Sequence, residues 1–220
     1  MSIKIIIITI FILCTSFKGN EVPVGCLKLD IIILADQSTS VSGKEQFIHD
    51  AVYAFIDKFE LAEEGIKVGL ITFGNTARLE SHLSPYSDSL KIASNVIRPY
   101  SANGSTNLSD ALTMTMEEMV LNGRVEVMKM IILITDGEPD NRDEVIRYTN
   151  LLKTMPGTLI WGIFVKKTEN VDYSPYIMYA PNYTNNTGAD YLKSISSPNC
   201  FIESDYNNLV EQVKKLDICL

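Results

Sequence analysis

Hydrophobic positions along this chain follow two habits. Residues 29–35 read Leu-Asp-Ile-Ile-Ile-Leu-Ala, an almost continuous run rich in β-branched side chains, and similar runs recur at 68–73, 130–135 and 159–165. Strands covered on both faces carry such runs, whereas a strand with one wet face alternates. Between them, apolar residues return at helical spacing: Ile48, Val52, Phe55 and Phe59; Leu108, Leu112, Thr115 and Met119; Val145, Tyr148 and Leu152. Leu209, Val213 and Leu216 mark a last helix over 207–216. Strand, helix, strand order with buried strands predicts an α/β fold, a doubly wound and mostly parallel sheet with helices on both faces. Residues 78–83 add a short edge strand, paired across a turn at Gly74 and Asn75. No repeat, charge block or low-complexity linker interrupts the pattern, so a single domain is expected over 26–219.

One apolar run stands apart. Lys4 precedes a mostly apolar stretch over 5–14, and Thr15 and Ser16 follow it. The stretch is too short to span a bilayer, and its basic flank and small-residue exit predict a signal peptide over 1–16, cleaved between Ser16 and Gly19. No other stretch approaches about 20 apolar residues, so membrane insertion is not expected and the mature protein is expected to be secreted and extracellular. With Cys14 removed, Cys26, Cys200 and Cys219 remain. Cys26 precedes the first strand and Cys219 follows the last helix, so a bridge between them would tie the two ends of one domain together. Cys200 is then a buried thiol or a link to another chain; its pairing with Cys219 is the alternative. Asn103, Asn107, Asn182 and Asn185 each begin a glycosylation sequon. The last two lie in a polar stretch that reads as a surface loop.

Charge narrows the partners. The 220 residues include 19 basic and 27 acidic side chains, a net charge of −8. The sequence pI is about 4.8. The basic residues are scattered rather than clustered, which excludes nucleic acid as a partner.

In a doubly wound sheet, ligands collect at the carboxyl ends of the strands. After the first run come Asp36, Gln37, Ser38, Thr39 and Ser40, and after the third come Asp136, Gly137, Glu138, Pro139 and Asp140. Between them Asn103, Gly104, Ser105, Thr106 and Asn107 open a helix. Two carboxylates and three hydroxyls with no neighbouring His or Cys form a hard oxygen set, suited to Mg2+ or Mn2+ rather than zinc.

These residues resemble the von Willebrand factor type A domain, whose members include the integrin I domains. Its metal-ion-dependent adhesion site pattern, Asp-x-Ser-x-Ser, then a Thr, then an Asp after a later strand, is filled by Asp36, Ser38, Ser40, Thr106 and Asp136. The resemblance implies that Ser38 and Ser40 bind the ion directly, that Thr106 joins them when ligand is engaged, and that Asp36 and Asp136 act through water. It further implies an open coordination position that takes a carboxylate from an extracellular protein, with collagen, another matrix protein or a cell-surface protein as the partner. Integrin I domains imply a last helix that shifts with affinity; a Cys26–Cys219 bridge would pin it. Thr39 stands where Gly is frequent, and a β-branched residue there could not take positive φ cheaply.

Other readings compete. Taken one loop at a time, Ser42, Asn107 or Ser109, and Asp140 look like helix caps. An enzyme would need a base and a pocket, and His49 and His82 fall on a helix and an edge strand, with no nucleophile elbow or phosphate loop in the chain. A structural matrix or scaffold protein, binding without metal and linked through Cys200, is the alternative to a metal-dependent binder. Trp161 and two of the trio Met114, Met116 and Met119 read as core, and Tyr173, Tyr176, Tyr179 and Tyr183 as ordinary packing in a loop near the metal edge, with a wider binding face as the alternative.

Overall fold

The computed structural model describes residues 28–59, 61–63, 65–98, 102, 104–166 and 187–215. The signal segment, Cys26, Cys219, Asn103, Asn182, Asn185 and the four loop tyrosines lie outside them.

The β-branched runs become the inner strands of one sheet. In chain order the elements are β1 (Leu29–Asp36), α1 (Glu45–Lys58), β2 (Ile66–Phe73), β3 (Ala77–Ser84), α2 (Ser87–Ser94), α3 (Leu108–Leu121) and β4 (Met128–Thr135). There follow α4 (Arg142–Thr154), β5 (Thr158–Lys166), α5 (Thr187–Ile195), β6 (Phe201–Asp205) and α6 (Leu209–Lys215). The six strands lie in the order β3-β2-β1-β4-β5-β6. All neighbours are parallel except β2 and β3, which pair antiparallel across the Gly74–Asn75 turn as expected.

Every residue of β1 is buried, which is why its pattern does not alternate. Ile31 and Ile33 point to one side, into a core shared with Val52 of α1, Leu90 of α2 and Leu209 of α6. Ile32 and Leu34 point to the other, against Leu112 of α3, Val145 of α4 and Leu192 of α5. Helices therefore cover both faces, and the fold is the doubly wound α/β sheet that the periodicity predicts. The sequence reading did not anticipate α2, α5 or β6.

Of the two readings of Cys200, the structure bears out the buried thiol: it has no solvent exposure and sits in the core, so a link from it to another chain would require the domain to open. Two helix-cap expectations need correction. Ser42 does not cap α1, whose first flanking residue is Lys44 and has no side-chain cap. Asp140 does not cap α4; Asn141 does, accepting from the Glu144 amide at 3.3 Å. Asn107 caps α3 as expected, through the Asp110 amide at 3.2 Å.

At the amino edge of the sheet, a buried carboxylate breaks the apolar run of β1. Asp30 is fully buried and accepts from the Arg124 amide at 2.6 Å and from Arg124 Nε at 2.8 Å. The same guanidinium donates to the carbonyls of Leu29 and Gly65. At the opposite edge, β1 has β2 on one side and β4 on the other, so the chain leaves the two neighbours in opposite directions. Their carboxyl ends open a crevice there.

Candidate metal centre

β1 and β4 run in register, Ala35 beside Ile134, so Asp36 and Asp136 emerge together at that crevice. The loop after β1 turns back at once. The Ser38 amide donates to Asp36 Oδ1 at 2.7 Å, and a short 3-10 turn over Thr39–Val41 brings Ser40 round. Ser38 Oγ and Ser40 Oγ lie 2.9 Å apart, and Ser40 Oγ donates to Asp136 Oδ1 at 2.5 Å. Asp36, Ser38 and Asp136 are buried, whereas Ser40 is exposed, so the cluster opens to solvent on the Ser40 side. Thr39 needs no special backbone: among the described residues only Asn199 combines a side chain with positive φ. The Thr39 amide donates to the Gly104 carbonyl at 2.9 Å, joining the first loop to the middle one.

The middle loop depends on a glycine. Gly104 has φ +81°, and a Cβ there would fall 2.1 Å from the Asn75 side chain. That side chain accepts from the Ser105 amide at 2.8 Å, and the Asn107 amide donates to the Gly74 carbonyl at 2.8 Å. Thr106 is clasped from the other side: its amide donates to Asp140 Oδ1 at 3.2 Å, and the Asp140 amide donates to its carbonyl at 3.1 Å. Asp140 thus braces the Thr106 loop rather than starting a helix. Asn107, one of the four sequon residues, uses Oδ1 as a cap and donates through Nδ2 to the Asn75 carbonyl at 3.2 Å.

Two further residues orient the carboxylates. Thr135 Oγ1 donates to Asp36 Oδ2 at 2.5 Å, and Tyr206 OH donates to Asp136 Oδ2 at 2.7 Å. Burial, with the Asp136 charge adding to it, pushes the Asp36 carboxyl up to about 6 against the donors Thr135 and Ser38. Burial and the Asp136 charge likewise raise the Tyr206 phenol well above its usual value, which keeps it a donor.

The donor set fits a hard cation. Gly137 faces the hydroxyls with no side chain; a Cβ there would stand 3.7 Å from Ser40 Oγ and 3.9 Å from Thr106 Oγ1. Ser40 Oγ and Thr106 Oγ1 therefore lie on the same side of the cluster, both within contact distance of the Gly137 position. Among the described residues no three His, Cys, Asp or Glu side chains converge, so the capacity of this cluster rests on its hydroxyls. His49 and His82 are elsewhere: His49 meets Asp50 on α1, and His82 Nδ1 lies 2.8 Å from Glu118 Oε2 at the edge strand.

Comparison with known proteins gives the same architecture a family. The sequence model of the von Willebrand factor type A domain matches residues 30–215, and the chain belongs to that family. Cuticlin-6 of Caenorhabditis elegans is 27% identical over 145 residues, covering 65% of this chain and 25% of that one. The mouse collagen alpha-5(VI) chain is 27% identical, covering 53% of this chain and 5% of its own length. Chicken matrilin-3 is 28% identical, covering 53% and 27%. This chain thus spans about a quarter or less of the first two relatives and little more of the third. Among solved structures, proximal thread matrix protein 1 from the mussel byssus, in a form with a zinc-occupied MIDAS motif, superposes with a TM-score of 0.64 at 21% identity, covering 86% and 46%. The manganese-loaded TRAP protein of Plasmodium vivax gives 0.63 at 19%, covering 86% and 72%. At these identities the structural likeness establishes the fold.

Proposed function

We propose that this von Willebrand factor type A domain is a secreted binding and adhesion module that engages a protein ligand through Mg2+ or Mn2+ held by Asp36, Ser38, Ser40, Thr106 and Asp136. The observation that carries the reading is the convergence, from three separate loops, of two buried carboxylates and three hydroxyls at the switch point of the sheet. A cation held there by so few anionic groups offers a strong, directional bond to a carboxylate oxygen of the partner. The chain's own residues do the positioning. Ser38 and Ser40 turn their hydroxyls toward one another, Thr135 and Tyr206 fix the outer oxygens of the two carboxylates, and Asp140 holds Thr106 at the rim. Such outer contacts set ligand orientation and basicity.

Kinship with a cuticlin, a collagen chain, a matrilin and a thread matrix protein supports an extracellular setting. Collagen, another matrix protein or a cell-surface protein is the expected class of partner. Kinship with matrix proteins supports binding rather than catalysis. Full burial of Cys200 speaks against the matrix reading in which that thiol links chains.

The test is a calorimetric titration of Mg2+ and Mn2+ into chelator-treated protein, beside Asp136→Ala and the double variant Ser38→Ala/Ser40→Ala. Wild type should bind one ion and both variants none. A wild type that binds neither metal would leave a scaffold whose ligand contacts are metal-independent.

A further inference from the structure

Two neighbouring helices expose an apolar strip on the outer surface of the domain. α3 leaves the Thr106 loop and leads down to the start of β4, and α4 leaves the end of β4 and leads to β5, which is parallel to β4, so the two helices run the same way. Asp110 and Glu118 of α3 accept from the Ala77 and Leu83 amides of β3 at 2.7 and 2.8 Å, so that side of α3 faces β3. The helical period then turns Met116 and Val120 toward α4. On α4, Lys153 Nζ donates to the Ser196 carbonyl and the Arg142 carbonyl accepts from Tyr191 of α5, so the opposite side, with Tyr148 and Leu151, faces α3. Met116, Tyr148 and Met155 are half-buried against the core between the helices. Val120 and Leu151, each in the last turn of its helix, stand above them at 67% and 44% exposure, and Leu121 beside Val120 is 78% exposed.

In each helix one charge precedes the exposed apolar residue by a single turn. Glu117 precedes Val120 and Leu121, is exposed, and has no hydrogen-bond or ion-pair partner among the described residues. Arg147 precedes Leu151. Its guanidinium lies over the Tyr148 ring, 4.7 Å from the centroid, donates to Tyr148 OH at 3.0 Å, and meets no carboxylate among the described residues. The pattern is complementary to itself. A two-fold axis parallel to the helices lays α3 of one copy on α4 of the other, both running the same way. Val120 then meets Leu151 of the second copy, and one turn back Glu117 meets Arg147, twice by symmetry. An axis across the helices would instead set α3 on α3 and bring Glu117 near Glu117.

We infer that this strip is the interface of a homodimer: a second copy of this chain covers Met116, Val120, Tyr148 and Leu151, and two Glu117–Arg147 pairs close its rim. The apolar centre supplies affinity, and the rim charges fix register and orientation. Because the axis runs along the helices, the carboxyl edges of both sheets face the same way. The Thr106 loop opens α3 in each copy, so the dimer presents two such clusters toward one surface. Two engagements on one surface add avidity without any new contact. That consequence rests on the metal-dependent reading above; the dimer itself does not.

The test is sedimentation equilibrium of the purified chain over a wide concentration range, in Mg2+ and in EDTA. Wild type should associate to a dimer equally in both. Glu117→Arg and Arg147→Glu should each weaken association by about tenfold or more, since each sets like charges against one another across the contact. An equimolar mixture of the two variants should regain the wild-type affinity, because every rim pair is then of opposite sign. The double variant Val120→Ser/Leu151→Ser keeps both charges and should weaken association as strongly. All three change exposed side chains, and urea midpoints close to wild type would show that the fold is kept. A wild type that stays monomeric overturns the inference, as does a dimer that survives the substitutions or a mixture that does not recover. Association in Mg2+ alone would put the metal centre in the contact and overturn it too. Each of these results leaves the metal-carboxylate reading standing, since the Mg2+ titration of the monomer decides that separately.

Discussion

Tyr206 and Thr135 show what single residues contribute to the crevice. Each donates one hydroxyl to the outer oxygen of a carboxylate, and neither is among the five residues that the adhesion-site pattern names. The five stand out in the sequence because a short motif keeps Asp36, Ser38 and Ser40 adjacent, because Thr106 comes just before the periodic segment of α3, and because Asp136 follows the β-branched run of β4. Tyr206 was not legible: it lies 70 positions from Asp136, and only the pairing of β5 with β6 brings it near. Tyr206→Phe tests its role with little change in shape. The buried Asp136 oxygen would lose its donor, at a cost of about 1–3 kcal/mol to the fold, and affinity for Mg2+ should fall by about tenfold or more. Urea denaturation and calorimetry read the two effects separately, and an unchanged Mg2+ affinity would show that the phenol serves packing alone.

At the level of elements, the strongly periodic segments were readable and the short ones were not. β1, β2, β4 and β5 announce themselves by β-branched runs, and α1, α3 and α4 by apolar spacing. β6 has only two apolar residues in five, Phe201 and Ile202, and takes its form from β5. α2 and α5 are short and carry polar residues between their few anchors. Helix starts were misread for a related reason: Ser42 and Asp140 have cap chemistry, but neighbouring contacts decide which residue does the capping. The polar interruption in β1 proves structural. Arg124, in the turn between α3 and β4, joins buried Asp30 to the backbone at Leu29 and Gly65, so one side chain ties that turn to β1 and to the approach to β2. Removing the guanidinium would strand a buried charge. Arg124→Met is expected to lower stability by about 3–5 kcal/mol, seen as a lower urea midpoint, with no change in metal affinity per folded molecule.

Across the whole molecule, the carboxylate cluster is kept at a cost to stability. Asp36 is held at about 6 where an ordinary aspartate sits near 3.8, so the metal-free fold prefers it protonated. The sign follows from that preference: its contribution is fully present below pH 4 and is lost as the pH rises through 6, a difference of about 3 kcal/mol for roughly two units. In chelator, Asp36→Asn should therefore melt higher than wild type at pH 7, with the gap closing by pH 4. The amide can keep the Ser38 contact and donate to Thr135 Oγ1, whose own hydrogen can turn to the Gly137 carbonyl at 3.5 Å. Equal melting temperatures at pH 7 would refute this account. The parallel sheet carries a different consequence, one of timing. Ser40 meets Asp136 across 96 positions and Asp36 meets Thr135 across 99, and no local hairpin builds either contact. Loops of that length close slowly, and the two strands that frame the crevice pair only after a long crossover. A nascent or truncated chain can thus hold several native helices and still lack the complete cluster, so the proposed binding would be open only to a domain that has finished folding.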